Sequence, residues 1–539
     1  MRSGCKSRRL LVRCAVGGLI VAGFWGVSER AIAGTLTVIL SAGTAAPDGS
    51  GELSSFERAV IDASGNAVVP ATIRDNGFYV KNALFRVGPV DALEMIVAEG
   101  DPSPDGNGNF NRLETPRVTR NGALAFINVL EGTLGGFSDA PALFVGRDQP
   151  LAIAARSGQA IPDAPGDALG FTLIDHGVTD GGSIGFFDVS AVDELPATWR
   201  ADGTAGGLVR VVTEGDRNPS GDGILAGGTV LPPAQRLGPG GHYAFHDAVR
   251  LDSGEFLSGI FRALPSGTLQ KVARLDDPAP GGDGTYASFF NLVAPVSGAL
   301  AINGHGEVAF AAVLEGTSGG ATDNVALYLG RPSGTIELVR KGDLVPDGNG
   351  SFLALGNDGW SVSSRGEVLF SARVSGATGG ASEGLFVAGP GGVRQVARLN
   401  QEVPGGGVIT AIDGSRAING AGAVAFYAFI DDGGPSSVEV LFYAEDGVLM
   451  EVLREGESVP GVGTVTGIRP GGADDGGVDC PSRCMMNERG EVVTGFGAGG
   501  GDRLAIWRPA SLLFVDGFES GNLGGWSSSQ SLPVSRSGP

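Results

Sequence analysis

Histidine is almost missing from this chain. There are four in 539 residues: His176, His242, His246 and His305. So few and so scattered, they give little support to histidine-based metal sites or to a serine–histidine couple. His242 and His246 are four apart but flank a strand-like Tyr-Ala-Phe, and such positions on a strand lie about 13 Å apart, too far to share a metal. Cysteine is equally scarce, with four residues. Cys5 and Cys14 fall in the first 33 residues. Cys480 and Cys484 remain, and they are expected to pair as a disulfide across a small loop, since two thiols with no histidine nearby fall short of a metal site. Aromatic residues are only 7% of the chain, which speaks against an aromatic-lined sugar enzyme. Basic residues are outnumbered, 38 Lys and Arg against 59 Asp and Glu, for a net charge of −21. That balance argues against nucleic acid and anionic membranes as partners.

Long apolar runs are lacking as well. The run from Cys14 to Val27 is about 14 residues, too short to span a bilayer comfortably as a helix. It follows a basic start with Arg2, Lys6, Arg8, Arg9 and Arg13, and precedes Ala31-Ile-Ala33. The segment 1–33 reads as a secretory signal cleaved after Ala33. It carries six Arg or Lys against one Glu, so the remaining chain stands near −26. The expected product is a secreted, periplasmic or cell-surface monomer with no transmembrane segment.

What the chain has in abundance is glycine, 93 residues, together with 42% apolar residues. That pairing suits many short strands joined by tight turns, not a disordered chain. Two landmarks recur in order. The first is a turn of the form Gly-Asp-x-x-Pro, seen in 97–104, 212–219 and 339–346, with looser copies ending at Pro47, Pro162, Pro280, Pro404 and Pro460. The second is an Asn-Gly turn running into an alternating strand, clearest in 303–310 and 419–426. Its glycines are Gly65, Gly122, Gly182, Gly241, Gly306, Gly366, Gly422 and Gly490. In six copies a Phe stands four residues later: Phe126, Phe186, Phe245, Phe310, Phe370 and Phe426. These phenylalanines are expected in the core.

Each unit parses into four short strands with no helical periodicity, as in a propeller blade. The predicted fold is all-β: a β-propeller of eight four-stranded blades over 34–510. The alternative is seven blades plus an irregular unit, because the third and eighth repeats match least well. The chain begins, after the signal, with a lone fourth-type strand, Thr35 to Leu40. It ends near Ala505-Ile-Trp507 on a third-type strand. The two ends are therefore expected to complete one blade and close the ring.

Together the Gly-Asp-x-x-Pro turn, the Asn-x-x-Gly-x-Val-Ala-Phe turn-strand and a Gly-Thr-x-Gly-Gly loop resemble a group of secreted repeat proteins of environmental bacteria, over about residues 36–508. The resemblance implies a propeller-like extracellular protein and supplies no catalytic residues. The segment 511–539, with Asp516-Gly-Phe-Glu-Ser-Gly521, resembles short tails that end many exported proteins, which implies a sorting or processing tag. Its Ser-rich end is expected to be disordered.

Candidate chemistry is sparse. Asp105, Asn107 and Asn109, and likewise Asp347 and Asn349, place oxygens at alternate positions, as calcium loops do. The closing acid of an EF-hand is missing from both, and Asp, Asn and Gly also populate ordinary turns. Calcium is thus the one cofactor to consider. Asp101, Asp216, Asp277 and Asp343 recur at one repeat position, and Arg156, Arg274, Arg340, Arg398 and Arg454 at another. Repetition in most blades points to structure, because a catalytic site is built once. Gly-x-Ser-x-Gly occurs at Ser183 and Ser382 without the strand-to-helix context a nucleophile elbow needs. The leading reading is an exported, non-enzymatic interaction module for an unidentified protein or polysaccharide, with no catalytic residue assigned. Its ligand is expected at the divergent segments 285–304 and 461–488. A secreted polysaccharide hydrolase or lyase is the rival and predicts a non-repeated acid cluster, with His or Tyr, at one channel mouth. A structural envelope or matrix component is the third reading.

Overall fold

The computed structural model describes residues 34–510, except 89–91, 114–115, 120–121, 147–150, 171–172, 193, 203, 205–206, 227–234, 290–299, 357–359 and 471–484. The segment 1–33, both cysteines of the expected disulfide and the tail from 511 lie outside the described residues. The chain is an eight-bladed β-propeller. Among the described residues there are eight antiparallel sheets of four or five strands, two short 3-10 turns and no α-helix.

Blade 7 shows the unit. Its strands run Val408–Ile418, Val424–Asp431, Val438–Glu445 and Val448–Arg454, labelled a to d from the axis outward. They pair in chain order. The other strands fall within 52–98, 117–156, 174–213, 223–274, 285–340 and 351–398 for blades 1 to 6, and 463–509 for blade 8. In blades 1, 4, 5 and 6 strand a is split into two pieces that both pair with b. The inner strands of neighbouring blades touch from blade 1 to blade 7, strand a of blade 8 touches strands c and d of blade 7, and Val60–Ile61 of blade 1 touches strand b of blade 8.

The expected closure is present. Gly34–Ser41 pairs antiparallel with Gly501–Pro509 as the outermost strand of blade 8, with Thr35 opposite Arg508 and Leu36 opposite Trp507. Blades 3 and 8, the weakest repeats, are complete four-stranded units, so the seven-blade alternative is replaced by eight. Within the divergent segments 285–304 and 461–488, Thr285–Ser288, Leu300–Ile302 and Gly463–Pro470 are a-strands. The ladder with strand b claims their backbone groups.

The recurrent phenylalanines are core, and their register explains why. Each b-strand Phe faces an aromatic on strand c: Phe126 with Phe144, Phe186 with Trp199, Phe245 with Phe261, Phe310 with Tyr328, Phe370 with Phe386, and Phe426 with Phe442. The Phe426 and Phe442 rings stack at 5.3 Å between centroids, as do Phe310 and Tyr328. Cross-strand aromatic pairs of this kind add about 0.5–1.5 kcal/mol beyond area burial. Trp199, Trp360 and Trp507 are each 2% exposed, so the described tryptophans serve packing.

The turns follow from backbone conformation. In each Asn-Gly turn the glycine has positive φ, 75° at Gly306 and 88° at Gly422, a region that costs other residues strain. The Gly-Asp turn needs the same geometry. Where glycine is replaced there, the substitutes are Asp276 (φ 67°) and Asn400 (φ 60°), residue types that tolerate the left-handed region.

Candidate functional site

Successive antiparallel strands put the a–b and c–d turns at one end of the ring, and the b–c and d–a turns at the other. The two ends differ in chemistry.

At the a–b end the turns converge on the axis around a funnel of about 610 Å³, part of it continuous with solvent. Its lining includes Thr119, Asn303, Ser363, Asn419 and Asn487. Seven of the eight turns are Asx-type or hydroxyl-capped loops, and the blade 4 turn, with Gly238 at that position, closes through backbone bonds alone. The Asn303 Oδ1 accepts from the His305 and Glu307 amides at 3.0 Å each. Asn419 and Asn487 repeat the arrangement with Ala421 and Ala423, and with Arg489 and Glu491. The side-chain amides also tie blades together: Asn303 Nδ2 donates to the Ser363 carbonyl at 2.9 Å. Arginines from outer strands brace the turns of the next blade. Arg86 donates to the Gly122 carbonyl at 3.0 Å and Arg262 to that of Gly306 at 2.6 Å. The approach is tight, since a Cβ on Gly240 would stand 2.0 Å from the Gly304 carbonyl oxygen. Among the described residues Glu488 is the only charged side chain of the funnel lining, and its Oε2 accepts from the Gly420 amide at 2.6 Å.

At the b–c and d–a end the Gly-Asp turns are built alike. The turn aspartate accepts the amide three residues before it: Ala98 to Asp101 at 2.8 Å, Thr213 to Asp216 at 2.9 Å, and Arg340 to Asp343 at 2.8 Å. The recurrent arginines reach back to the loop that enters their own blade. Arg156 pairs with Asp105 at 2.5 Å, Arg274 with Asp222 at 2.7 Å, Arg340 with Asp283 at 3.0 Å and Arg398 with Asp347 at 3.4 Å. Arg454 pairs with Glu451 at 2.8 Å and donates to the Gly406 carbonyl. The Arg274 hydrogen bond holds the Asp222 carboxyl below the usual range.

These clamps bear on the calcium candidates. Asp105 accepts from the Ser103 hydroxyl, the Asn107 amide and the Arg156 guanidinium. Asn107 Oδ1 accepts the Leu134 amide at 2.7 Å, and its Nδ2 donates to Asp139 at 2.8 Å. The Asn109 backbone pairs with that of Glu131. Asp347 faces Arg398, and Asn349 Oδ1 accepts the Thr378 amide at 2.8 Å. In both loops a guanidinium already neutralises the carboxylate. Among the described residues no group of three or more His, Cys, Asp or Glu is arranged to hold a metal.

The other sequence candidates disperse. Ser183 donates its amide to the Thr179 hydroxyl in the a–b turn of blade 3, and Ser382 lies in the b–c turn of blade 6, its carbonyl accepting from Val374. His305 is exposed on the a–b end and contacts the Ser364 carbonyl.

The sequence pattern did not announce one set of buried polar groups. Two residues after the core Phe, blades 2, 3 and 4 carry Asn128, Asp188 and Asp247, each buried, where blades 5, 6 and 7 carry Ala312, Ala372 and Ala428. Asn128 and Asp188 accept from the amides of Asn111 and Gly170, in the connections that enter their own blades. Asp247 Oδ1 has no hydrogen-bond partner, and burial pushes its carboxyl up to about 7. Beside it, burial pushes His246 down to about 4. The available signal was a polar residue at a position that alternation assigns to the core.

Among solved structures, similarity extends to other propellers at low identity. The β-propeller domain of the Trilobed protease from Pyrococcus furiosus aligns with 74% of this chain and 98% of its own, at 9% identity and a TM-score of 0.39. A puromycin-hydrolyzing peptidase of Mycobacterium tuberculosis aligns with 85% of this chain, at 12% identity and a TM-score of 0.36; the match spans 60% of the peptidase. A Trypanosoma rangeli sialidase aligns with 91% of this chain and 61% of its own, at 10% identity and a TM-score of 0.26. No helix among the described residues is long and apolar enough to cross a membrane. No curated protein matches the chain in sequence. The profile of a family of unknown function, DUF7453, matches residues 25–302 and 292–494, and the chain belongs to that family.

Proposed function

We propose that the protein is an exported, non-enzymatic binding module, with 1–33 as its secretory signal. The observation that carries this reading is the chemistry of the axial funnel. Its polar groups are amides and hydroxyls already engaged in turn and inter-blade hydrogen bonds, and one carboxylate, Glu488, is bonded to a backbone amide. A glycosidase-type mouth places two carboxylates about 5–10 Å apart across a bond. The funnel instead presents neutral amides and hydroxyls, held by their own bonds, on a braced ring, which supports a rigid binding platform over a catalytic mouth.

The test is thermal unfolding of residues 34–539 across a panel of bacterial and plant polysaccharides, with a parallel assay for new reducing ends. A ligand at a hundredfold excess over its Kd stabilises the folded state by about 2.7 kcal/mol. The expected result is a stabilising ligand without turnover. Release of new sugar ends would replace this reading by the hydrolase or lyase one.

A further inference from the structure

The b–c connections split the ring into two unlike halves. Nine of the fourteen exposed large apolar side chains among the described residues lie at or beside the b–c connections of blades 1 to 4. Blade 1 presents Phe78 (79% exposed), Tyr79 and Val80 on a tight hairpin. Blade 2 presents Val129, Leu134 (94% exposed) and Phe137. Blade 3 adds Val192 and Leu195, and blade 4 adds Phe256. None of the fourteen lies at or beside the equivalent connections of blades 5 to 8, residues 316–324, 376–382, 432–437 and 499–500. A structural requirement of the blade would recur in all eight, so this contrast is not imposed by the fold. Exposed apolar side chains gathered on one surface mark an interaction site.

The same connections are acidic. Segments 129–140, 190–196 and 250–256 contain six Asp or Glu and one basic residue, Arg250. Glu131, Glu194 and Glu255 are exposed. In blade 1 Lys81 pairs with Asp48 at 2.7 Å, and Arg74, exposed, donates to the Gly77 carbonyl. On blade 4 Arg217 pairs with Asp252, and Arg250 is exposed opposite Phe256, one cation beside the carboxylates. We propose that the b–c end of blades 1 to 4 docks a polypeptide segment in which apolar side chains alternate with Lys or Arg. Apolar residues would lie on the loop tips and the basic ones against the carboxylates between them. Charge selects this occupant over two others. A second copy meeting the same surface two-fold would set acid against acid, and an anionic bilayer would meet a surface of its own sign. This inference deepens the binding-module reading and rests on it.

The experiment measures binding of residues 34–539 to a synthetic peptide of alternating leucine and lysine, with the leucine–glutamate peptide as control. Two variants are compared with the parent: Leu134→Ser/Phe137→Ser/Phe256→Ser, and Glu131→Lys/Glu194→Lys/Glu255→Lys. All six positions are exposed, so an unchanged unfolding temperature verifies the fold of each. The expected result is binding of the lysine peptide alone, weakened about tenfold or more in either variant and by added salt. Absence of binding, or binding that the apolar variant leaves intact, overturns the proposal. So does vesicle binding, or a concentration-dependent dimer, that the apolar variant abolishes. A polysaccharide ligand retained by both variants would remove this surface and keep the binding-module reading, whereas catalytic turnover would remove that reading itself.

Discussion

The side-chain amide of Asn487 donates to the backbone carbonyl of Asp62 at 2.9 Å, joining blade 8 to blade 1 across 425 residues of sequence. It is the same bond that Asn303 makes to Ser363, so the seam of the ring uses an interior contact of the repeat. Asn487 is 6% exposed, and its Oδ1 also caps its own turn. Asn487→Ala is expected to cost about 1–3 kcal/mol, because it leaves a buried carbonyl and turn amides short of partners. Denaturant unfolding checks this, and a midpoint equal to the parent's would show that the seam does not depend on the amide.

The second closure is the strand Gly34–Ser41. Without it strand c of blade 8, Gly501–Pro509, is left as an open edge. A chain beginning at residue 42 is expected to aggregate or to unfold well below the parent. Added peptide 34–41 should restore part of the loss. Size-exclusion chromatography and a melting curve read the outcome, and a monomer of parental stability would show that the strand is dispensable.

Asp247 and His246 give opposite pH dependences. Between about pH 4 and 7 the folded state keeps the Asp247 proton that the unfolded state sheds, so stability falls as pH rises through that window. Between about pH 4 and 6.5 the unfolded state protonates His246 and the folded state does not, so stability rises with pH. The two slopes nearly cancel below pH 6.5. Asp247→Asn should therefore stabilise the protein above pH 7, by at most about 4 kcal/mol, since each tenfold change in proton affinity is worth about 1.4 kcal/mol. It should also unmask the histidine slope. Unfolding measured from pH 4.5 to 8 tests this. An unchanged profile in the variant would show that Asp247 titrates normally.

The acidic loops at Asp105 and Asp347 are expected to behave as turns clamped by arginine. Calcium or chelator should leave the melting temperature unchanged. Arg398→Gln should lower stability by about 1–2 kcal/mol: its side chain is 3% exposed, whereas the facing Asp347, at 39%, keeps water as a substitute partner. A melting temperature that falls with chelator and returns with calcium would make these loops metal sites.

The architecture was legible in the chain itself. Alternation at period two, glycines where φ must be positive, and prolines at near-constant spacing are local signals. Gly306, Gly422 and the turn prolines reported the repeat because each acts on its own few residues. The lone strand at 34–41 was legible too, since a missing fourth strand can be counted.

Which groups meet across space was decided by the tertiary structure alone. The recurrence of Arg156 and Arg398 was visible, but not that each turns back on the carboxylate about fifty residues earlier. The burial of Asp188 and Asp247 was hidden because their polar character contradicts the alternation that placed them. The apolar tips at Phe78, Leu134 and Phe256 read as ordinary hydrophobic residues until the turns put them in water. Local conformational preference is written residue by residue, whereas ion pairing, burial and exposure arise only when distant segments share a volume, and in this ring the blades bring them together.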